Sequence, residues 1–541
     1  MPLRITHFLC WLATFSLFFL HGAWPTPDSN ETHYLTKARH YWQPDFGQGE
    51  LFLESADAHQ VFYWTWGWTT RVMPLEWSAW LGRLLTWAGL AAAWQYLAGK
   101  LLRYPAGGPL AAALFVGLNE RYHLAGEWVV GGIEAKGFAY ILILFAVARA
   151  VCDHWRSAFV LFGAASAFHV LAGGWSTIAA FIAWLVLGRS ACPLAKVWPA
   201  WVVGGLLAAP SIWWGVELTR GQEADIVAQA NEIYVVERLS HHLLPERFPN
   251  RHFVRFLGLL AFTLTLLTGI WLLEDRDNLP NGKNPVPCDQ TELPRRWDIF
   301  VLWCVGSVLI LMAGLTIQIL WHDNPVRLHA LLRYYWFRSS DAFVPLLAGF
   351  AAWRVVELFA SRGNWRAWGL GGILLAAVIW DTAAQMPHWP FTVPGLHTAS
   401  VDARPDQRRN YILTEWRDVC RWARENTSSS ARFLTPRLSA TFKWYAQRGE
   451  VVNWKDMPQD AASLVAWWQR LRDLHGEDNP ANPLDRWHDS LAHHGLPRLQ
   501  ELGKKYGADY AIVVYFDDTP RLTEPALYQN KMFAVYALNG E

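Results

Sequence analysis

Carboxylates that could do chemistry follow the first hydrophobic segment of this 541-residue chain. Glu31 opens a stretch in which apolar residues recur with the period of a helix: Tyr34, Leu35, Ala38, Tyr41 and Trp42. This pattern predicts an amphipathic helix on a membrane surface. A carboxylate held there could act as general base on an acceptor hydroxyl. Asp28 stands three residues before Glu31, the spacing of a capping box, so Asp28 is expected to cap this helix, and Glu31 could cap it, act as base or do both.

Three arginines stand among aromatic residues much later in the chain, at Arg327, Arg333 and Arg338. The guanidinium group binds phosphate oxygens in a bidentate way, so this segment favours a phosphate site. His329 lies four residues before Arg333 and would share a helix face with it. The alternative is that the arginines contact lipid headgroups, with Arg338 paired to Asp341.

Charged residues near the apolar segments form a second set of candidates. Glu134 and Lys136 begin an apolar segment, where charges are costly and often functional, although the two could form a structural pair. Asp57 and His59 are two residues apart and could assist the chemistry or bind a metal. Two residues are a weak metal signal, and no Cys-x-x-Cys pattern is present, so no metal site is predicted from spacing.

Histidines complete the candidate set. His169 lies at a turn between two apolar segments, where a single histidine is usually structural. His241 and His242 are adjacent, so their side chains point in different directions on either a helix or a strand and do not share a metal. The loop 217–252 that carries them could be a lid over a cavity or a solvated loop.

The composition indicates a membrane protein with a sizeable soluble part. The chain is 52% hydrophobic and contains 35 Trp, a residue that favours membrane interfaces. Charged residues make up 17%, below the roughly 25% typical of soluble domains. The net charge of +1 argues against nucleic acid as a partner.

Apolar segments of about 20 residues predict eleven transmembrane helices. The predicted spans are 5–20, 74–99, 107–118, 133–151, 157–173, 175–188, 197–216, 253–273, 298–320, 342–360 and 367–385. Alternation along this series puts basic loops on the inside, as the positive-inside rule requires. Most of the unusual polar residues then collect at the outer face.

The character of the chain changes near residue 386. Residues 1–385 are predicted to form a transmembrane domain that includes the surface-helix loop 25–60. Residues 386–541 alternate helix-like and strand-like runs, which predicts a soluble α/β domain. The helix-like runs are 413–426, 461–475 and 495–507, and the strand-like runs are 431–435, 451–454, 510–516 and 532–538. The fold class is therefore a polytopic α-helical membrane protein with a C-terminal extramembrane domain, which eleven spans would place outside the cytoplasm.

An acidic loop after the first span, with Glu31-x-x-Tyr34 and Ala38-Arg39 on a helix, resembles the type-C (GT-C) membrane glycosyltransferases. The topology adds to this resemblance, which implies transfer of a sugar from a polyprenyl-phosphate carrier. By the same similarity Glu31 matches the catalytic base, with Asp28 second. The chain also looks like a bacterial family of uncharacterised multi-pass proteins that share a segment from Arg333 to Asp341.

The resemblance implies further features and has departures. Arg333 and Arg338 are assigned to the carrier phosphate by location rather than by motif, with Arg327 and His329 beside them. The sequence lacks an adjacent Asp-Glu pair at the start of the loop and lacks a Trp-Trp-Asp motif. These departures leave the substrate class and a divalent metal open.

The sequence thus predicts an inverting glycosyltransferase in a bacterial inner membrane, which acts on an acceptor hydroxyl at the outer face. One alternative is a transporter or lipid flippase, in which Glu134, Lys136 and His169 would line a path. Such proteins usually contain a repeated half, and none is visible here. The other alternative is a non-catalytic envelope protein whose exported domain binds a partner.

Overall fold

The computed structural model describes residues 3–277, 292–363, 365–385, 406–477, 487–516 and 519–539. The predicted domain boundary near residue 386 lies outside these residues. The helices of the first half are α1 (Leu3–Gly22), α2 (Glu31–Trp42), α3 (Leu51–Glu54), α4 (Gln60–Phe62), α5 (Thr69–Val72), α6 (Leu75–Leu101), α7 (Gly107–Arg121), α8 (Ala135–Ala150), α9 (Trp155–Phe168), α10 (Val170–Ala183) and α11 (Leu194–Glu217).

The remaining helices before the sheet are α12 (Ala224–Glu232), α13 (Ser240–Leu243), α14 (Asn250–Asp277), α15 (Leu293–Leu320), α16 (Pro325–Leu332), α17 (Arg338–Ala360) and α18 (Arg366–Gln385). π-Helical turns occur at Tyr63–Gly67, Trp184–Gly188 and Ile233–Arg238. Short 3-10 helices occur at Pro245–Arg247 and Leu491–His494.

Six helices in the described part of the chain are long and apolar enough to cross a membrane. They are Arg4–Gly22, Val170–Gly188, Leu194–Glu217, Asn250–Glu274, Leu293–Leu320 and Arg338–Ala360. Each predicted span overlaps a helix, but α7, α8 and α9 contain 15, 16 and 14 residues, fewer than the roughly 20 that a bilayer core requires. The protein is therefore a helical membrane protein, and the count of eleven spans is not confirmed.

Small residues let these helices approach closely. A Cβ atom on Gly163 of α9 would lie 2.2 Å from the carbonyl oxygen of Gly204 on α11. Any larger side chain at either position would separate the two helices, as in other membrane helix pairs built on small residues.

Helix α2 does not lie on a surface as the sequence predicted. Its apolar residues Leu35 and Ala38 are fully buried, and its polar residues Thr36 and Lys37 are buried as well. The ammonium of Lys37 donates to the Phe52 carbonyl oxygen at 2.8 Å. The polar side of the helix is thus covered by the following loop and by the C-terminal residues, which explains why an amphipathic pattern is found inside the protein.

The C-terminal residues form a small mixed sheet with flanking helices. The strands are β1 (Arg432–Leu434), β2 (Gly449–Glu450), β3 (Tyr510–Val514), β4 (Tyr528–Gln529) and β5 (Phe533–Ala537), in the order β2-β1-β3-β5-β4. The β2-β1 and β1-β3 pairs are parallel and the other two are antiparallel. The helices are α19 (Asp406–Asn426), α20 (Phe442–Ala446), α21 (Ala461–His475) and α22 (Gly495–Tyr506).

We call this sheet with its flanking helices the C-terminal unit, and the segment 25–60 the first loop. A buried ionic cluster joins the two, and we call it the Lys443 cluster. The Lys443 ammonium lies 3.2 Å from Glu50, 2.9 Å from Glu450 and 2.8 Å from Asp456. All four side chains are at most 2% exposed. Burial raises the pKa of Glu50 to about 7, although the Lys443 ammonium opposes this shift.

Candidate functional site

A cavity of about 820 Å³ lies where the first loop, the membrane helices and the C-terminal unit meet. This is an ordinary volume for a ligand site. Its walls come from the start of α2, the segment around His59, the loop before α8, the start of α10, the end of α11 and residues 234–242. Residues 333–339 and the C-terminal segment 455–459 complete it. Segments that lie far apart in the sequence thus contribute to one concave surface.

The cavity carries an excess of positive charge. Among the described residues that line it, five are cationic: Lys136, Arg238, Arg333, Arg338 and Lys455. Two carboxylates, Glu127 and Glu134, face them. The cations therefore outnumber the carboxylates by three, which suits an anionic ligand.

Arg338 and Ser339 line this cavity, and each carries a buried donor without a partner among the described residues. The Arg338 guanidinium lies 3.5 Å from Glu127 and 4.2 Å above the Tyr335 ring, yet its buried Nε–H has no acceptor among the described residues. The buried Ser339 hydroxyl likewise has no partner among them. Unsatisfied buried donors are rare and call for an explanation such as an absent ligand.

Both donors lie at the first turn of α17, where the helix adds its own attraction for anions. The first backbone N–H groups of a helix and the macrodipole favour a negative group at its N-terminus. Tyr335, just before this turn, has φ of 54° and so occupies the left-handed region, which is costly for a residue other than glycine. Its hydroxyl lies 2.9 Å from that of Tyr234. A strained turn thus presents Arg338, Ser339 and the helix N-terminus to the same space.

The two carboxylates are bound to the cations around them. Glu127 lies 3.0 Å from the Lys136 ammonium and accepts from the Tyr140 hydroxyl at 3.2 Å. Glu134 lies 3.4 Å from Lys136 and accepts from the Asn30 amide at 2.9 Å. Burial raises the pKa of Glu134 above its usual value, although Lys136 opposes this shift.

The C-terminal unit supplies one wall of the cavity. Its Lys455 ammonium donates to Asn30 at 2.7 Å and to the Ser29 hydroxyl at 3.3 Å. Burial and the nearby Arg238 lower the pKa of Lys455 to about 8, so the ammonium loses its proton just above neutral pH. An anionic ligand would favour the charged form of this lysine.

Positive charge also affects the histidines of the cavity. Burial lowers the pKa of His242, and the nearby Arg338 guanidinium lowers it further, so its imidazole is neutral at pH 7. Its Nδ1 faces the carbonyl oxygen of Ala125, which fixes the ring. His169 accepts from the Ala172 N–H at 3.2 Å and caps α10. Both rings therefore have a local structural contact in addition to their place in the wall.

One side of the cavity reaches the surface of the membrane helices. Ile212 and Val216 on α11 and Tyr334 before α17 line the cavity and are 48%, 54% and 46% exposed. Exposed apolar side chains on a membrane helix face lipid. The cavity therefore opens toward the lipid beside α11, next to its cationic interior.

Eight of the residues singled out from the sequence line this cavity. They are His59, Glu134, Lys136, His169, His241, His242, Arg333 and Arg338. Asp57 stands behind His59, where its Oδ1 lies 2.9 Å from Nδ1 of that ring. Sequence positions nearly 300 residues apart are thus brought together, although no one motif contained them.

Glu31, the predicted general base, is not among them. Its side chain is fully buried and accepts from Nε and Nη2 of Arg83 at 2.5 and 2.6 Å. Its oxygens also accept from the backbone N–H groups of Asp28 at 2.7 Å and Ile133 at 3.0 Å. A carboxylate so enclosed has no free oxygen for an acceptor hydroxyl, so the geometry favours a structural role for Glu31. The predicted capping box is not formed, because the residue before the helix is Asn30, which makes no side-chain cap.

Asp28, Arg327 and His329 also lie outside the 820 Å³ cavity. Asp28 lines a smaller neighbouring cavity of about 310 Å³, and its carboxylate accepts from the Gly132 N–H at 3.0 Å. Arg327 is exposed on α16 and lies 4.8 Å from the Trp321 ring. His329 follows on the same helix. The predicted phosphate set thus reduces to Arg333 and Arg338.

Sequence reasoning missed Glu127, Ser339 and Lys455. Glu127 stands in a short loop without a recognisable pattern, and Ser339 is the residue directly after Arg338. Lys455 belongs to the C-terminal unit, whose contact with Asn30 spans more than 400 positions. Of these three, only Ser339 had a signal in the sequence, namely its place beside the aromatic arginine segment.

No metal-binding group was found in the part of the chain that the structure describes. There, no three side chains of His, Cys, Asp or Glu come together in an arrangement that could hold an ion. The pair formed by Asp57 and His59 therefore has no third ligand within the described residues.

Part of the C-terminal unit matches a known protein family. Residues 414–474 match a family described as a domain of unknown function (DUF6798). No curated protein matches the chain. The matched segment includes Lys443, Lys455 and Gln459, so it contributes both to the Lys443 cluster and to the cavity wall.

Proposed function

We propose that the protein is a membrane glycosyltransferase that takes a sugar from a polyprenyl-phosphate carrier and passes it to an acceptor hydroxyl. The observation that carries this proposal is the pair of unsatisfied donors, Arg338 Nε and Ser339 Oγ, at the N-terminus of α17. They lie in a cavity with excess positive charge that opens toward lipid. A phosphate attached to a lipid tail fits this combination.

The cations would stabilise the leaving group. As the bond between the sugar carbon and the phosphate oxygen breaks, negative charge grows on the phosphate. Arg338, Arg333 and Lys136 present donors to that charge inside a cavity partly closed to water, where such interactions are strongest. The aromatic rings of Tyr234 and Tyr335 give the sugar and the arginines a flat surface to pack against.

We place this reaction at the outer face of a bacterial inner membrane, with the C-terminal unit on the same side. The orientation follows from the basic loops of the sequence, and the contact of Lys455 with Asn30 supports a shared side for the first loop and the C-terminal unit.

The test compares two arginines eleven positions apart. Arg338→Gln removes the guanidinium from the cavity, whereas Arg327→Gln makes the same change on exposed α16. Purified protein in lipid nanodiscs would be titrated with a polyprenyl-phosphate hexose, and transfer of the labelled hexose to membrane acceptors or to water would be measured. We expect Arg338→Gln to weaken donor binding about 10- to 100-fold, the value of a charge-assisted hydrogen bond or two, and Arg327→Gln to change it less than twofold.

Two results would count against the proposal. Equal donor affinity in the wild type and in Arg338→Gln would remove the phosphate assignment. Counterflow of the labelled lipid across proteoliposomes, without any transfer of its sugar, would instead favour the lipid flippase that the sequence left as an alternative.

A further inference from the structure

An aspartate–histidine pair faces the cavity from the first loop. Asp57 is 2% exposed, and its Oδ1 accepts from the backbone N–H of His59 at 2.6 Å. The same oxygen lies 2.9 Å from His59 Nδ1, and Oδ2 accepts from the Tyr63 hydroxyl at 2.9 Å. Burial opposes ionisation of Asp57, but His59 and the Lys37 ammonium at 3.8 Å outweigh it and hold the pKa of this carboxyl well below its usual value.

An ionised Asp57 favours a proton on the nearer nitrogen of His59, Nδ1, although the Gln459 side-chain nitrogen also lies 3.1 Å from that atom. A carboxylate beside Nδ1 favours a proton on that nitrogen and leaves Nε2 as a hydrogen-bond acceptor. The ring lines the cavity and its side chain is 15% exposed. Nε2 lies 3.4 Å from the Tyr34 hydroxyl, which also lines the cavity. His59 therefore presents an acceptor nitrogen to the cavity from a fixed position.

The carboxylates are less suited to accept a proton. Glu127 and Glu134 are held by Lys136, and Glu31 is enclosed by Arg83. A second cavity histidine, His33, also faces an aspartate, but at 3.4 Å from Asp456, whose charge is shared with the Lys443 ammonium at 2.8 Å. The His59 pair is shorter, and its aspartate lies no closer than 3.8 Å to a lysine.

We infer that His59, positioned by Asp57, is the general base of the sugar transfer, an assignment that rests on the proposed function. The acceptor oxygen forms a bond to the sugar carbon while the bond from that carbon to the phosphate oxygen breaks. The electron pair of the broken bond stays on the carrier phosphate, beside Arg338. The hydroxyl proton moves to His59 Nε2, and the imidazolium is stabilised by Asp57 until the proton passes to solvent.

The first test separates chemistry from donor binding. We expect His59→Gln to lower kcat about 100- to 10,000-fold, the usual contribution of a general base, and to leave affinity for the polyprenyl-phosphate hexose within twofold. His329→Gln is the matched control, because it makes the same change on α16 outside the cavity. Full transfer by His59→Gln would overturn the inference and leave the proposed function standing. A wild type that does not bind the donor would overturn both.

The second test uses a readout that a merely structural histidine would not move. His59→Ala leaves a space beside Asp57. Added imidazole is expected to raise the residual transfer rate of this variant at least about tenfold. Asp57→Asn is expected to lower kcat with little change in donor affinity, because an amide no longer holds the proton on Nδ1. Absence of imidazole rescue in a folded, donor-binding His59→Ala protein would contradict the role of base.

The pH profile gives an independent check. A general base acts only when unprotonated, so the wild-type kcat is expected to fall on the acid side, and this fall should be absent from the residual rate of His59→Gln. The titratable groups that contact His59 are Asp57, Tyr34 and His169, and Lys37 and Tyr63 contact its partner Asp57. An unchanged acid limb in His59→Gln would assign it to another of these groups and overturn the inference.

Discussion

The cavity and the Lys443 cluster both gather buried charges, but they differ in how those charges are satisfied. In the Lys443 cluster one ammonium meets three carboxylates within 3.2 Å, and Glu450 accepts further hydrogen bonds from Thr435 and Ser439. In the cavity Arg338 and Ser339 retain donors without a partner among the described residues. In the first arrangement the charges are met by other protein groups, although Asp456 Oδ1 has no hydrogen-bond partner among the described residues and lies 3.4 Å from His33 Nδ1. The second arrangement differs in that it borders an open cavity.

The difference shows that charge density alone does not identify a functional site. Glu31 and Arg83 form a fully buried ion pair with N–O distances of 2.5 and 2.6 Å. Their close contacts are with other protein groups, and neither residue lines the cavity. What distinguishes the cavity is unused hydrogen-bonding capacity beside open volume. Substitutions in the Lys443 cluster should therefore change the free energy of unfolding, and substitutions in the cavity should change donor affinity.

The largest effect is expected from Lys443→Met. This change leaves Glu50, Glu450 and Asp456 buried without their cation, and loss of one partner of a buried pair costs about 3–5 kcal/mol. The free energy of unfolding in detergent would be compared with that of Lys504→Met, an identical change at an exposed position. A stability equal to the control would show that the cluster does not hold the C-terminal unit to the first loop.

A comparable change is expected from Glu31→Gln. The buried Arg83 would lose its carboxylate, at a cost of about 3 kcal/mol in the free energy of unfolding. Because Glu31 has no oxygen in the cavity, donor affinity of the folded protein should stay within twofold. Glu246→Gln, on an exposed residue, is the control. A variant of normal stability that no longer transfers sugar would instead restore Glu31 as the base.

A smaller, pH-dependent effect is expected from Glu50→Gln. The pKa of Glu50 is raised from 4.5 to about 7 in the folded protein, so the folded state binds more protons than the unfolded state between these values. Stability is therefore lost as pH rises from 4.5 to 7, by about 1–3 kcal/mol. The Glu50→Gln variant should not show this loss of stability. Unfolding curves at pH 5 and 7.5 measure it, and an unchanged pH dependence would contradict the assignment to Glu50.

The smallest effect concerns Lys455 in the cavity. Its pKa is lowered to about 8, so the free protein loses this positive charge as pH rises past that value. We expect affinity for the polyprenyl-phosphate hexose to fall about tenfold between pH 7 and 9.5, equivalent to roughly 1.4 kcal/mol. Lys455→Arg should keep its charge and flatten the dependence. If donor affinity falls with pH to the same extent in the wild type and in Lys455→Arg, Lys455 does not bind the phosphate.

Local patterns predicted local structure well. Helix α21 has the predicted bounds, 461–475, and begins where the Asp460 side chain accepts from the Ser463 N–H. Strand β3 lies within the predicted run 510–516. Hydropathy located the helices of the membrane part but not which of them are long enough to cross, because α7 to α9 are buried against other helices and read as apolar for that reason.

The candidate site was harder to predict because it depends on contacts between distant residues. Arginine among aromatics drew attention to Arg333 and Arg338, which line the cavity. The partner of Glu31 is Arg83, 52 positions away within an apolar helix, and no local pattern links the two. Lys455 reaches the cavity only because the C-terminal unit folds back onto the first loop.

The docking of the C-terminal unit onto the first loop also constrains how the chain can evolve. Asn30 with Lys455, Glu50 with Lys443, and His59 with Gln459 each contact across that junction through their side chains. In homologous chains these pairs should be substituted together, and a C-terminal unit transplanted alone from a distant homologue would arrive without its matching first loop. The domain of unknown function would then be inherited as one half of a pocket rather than as an independent module.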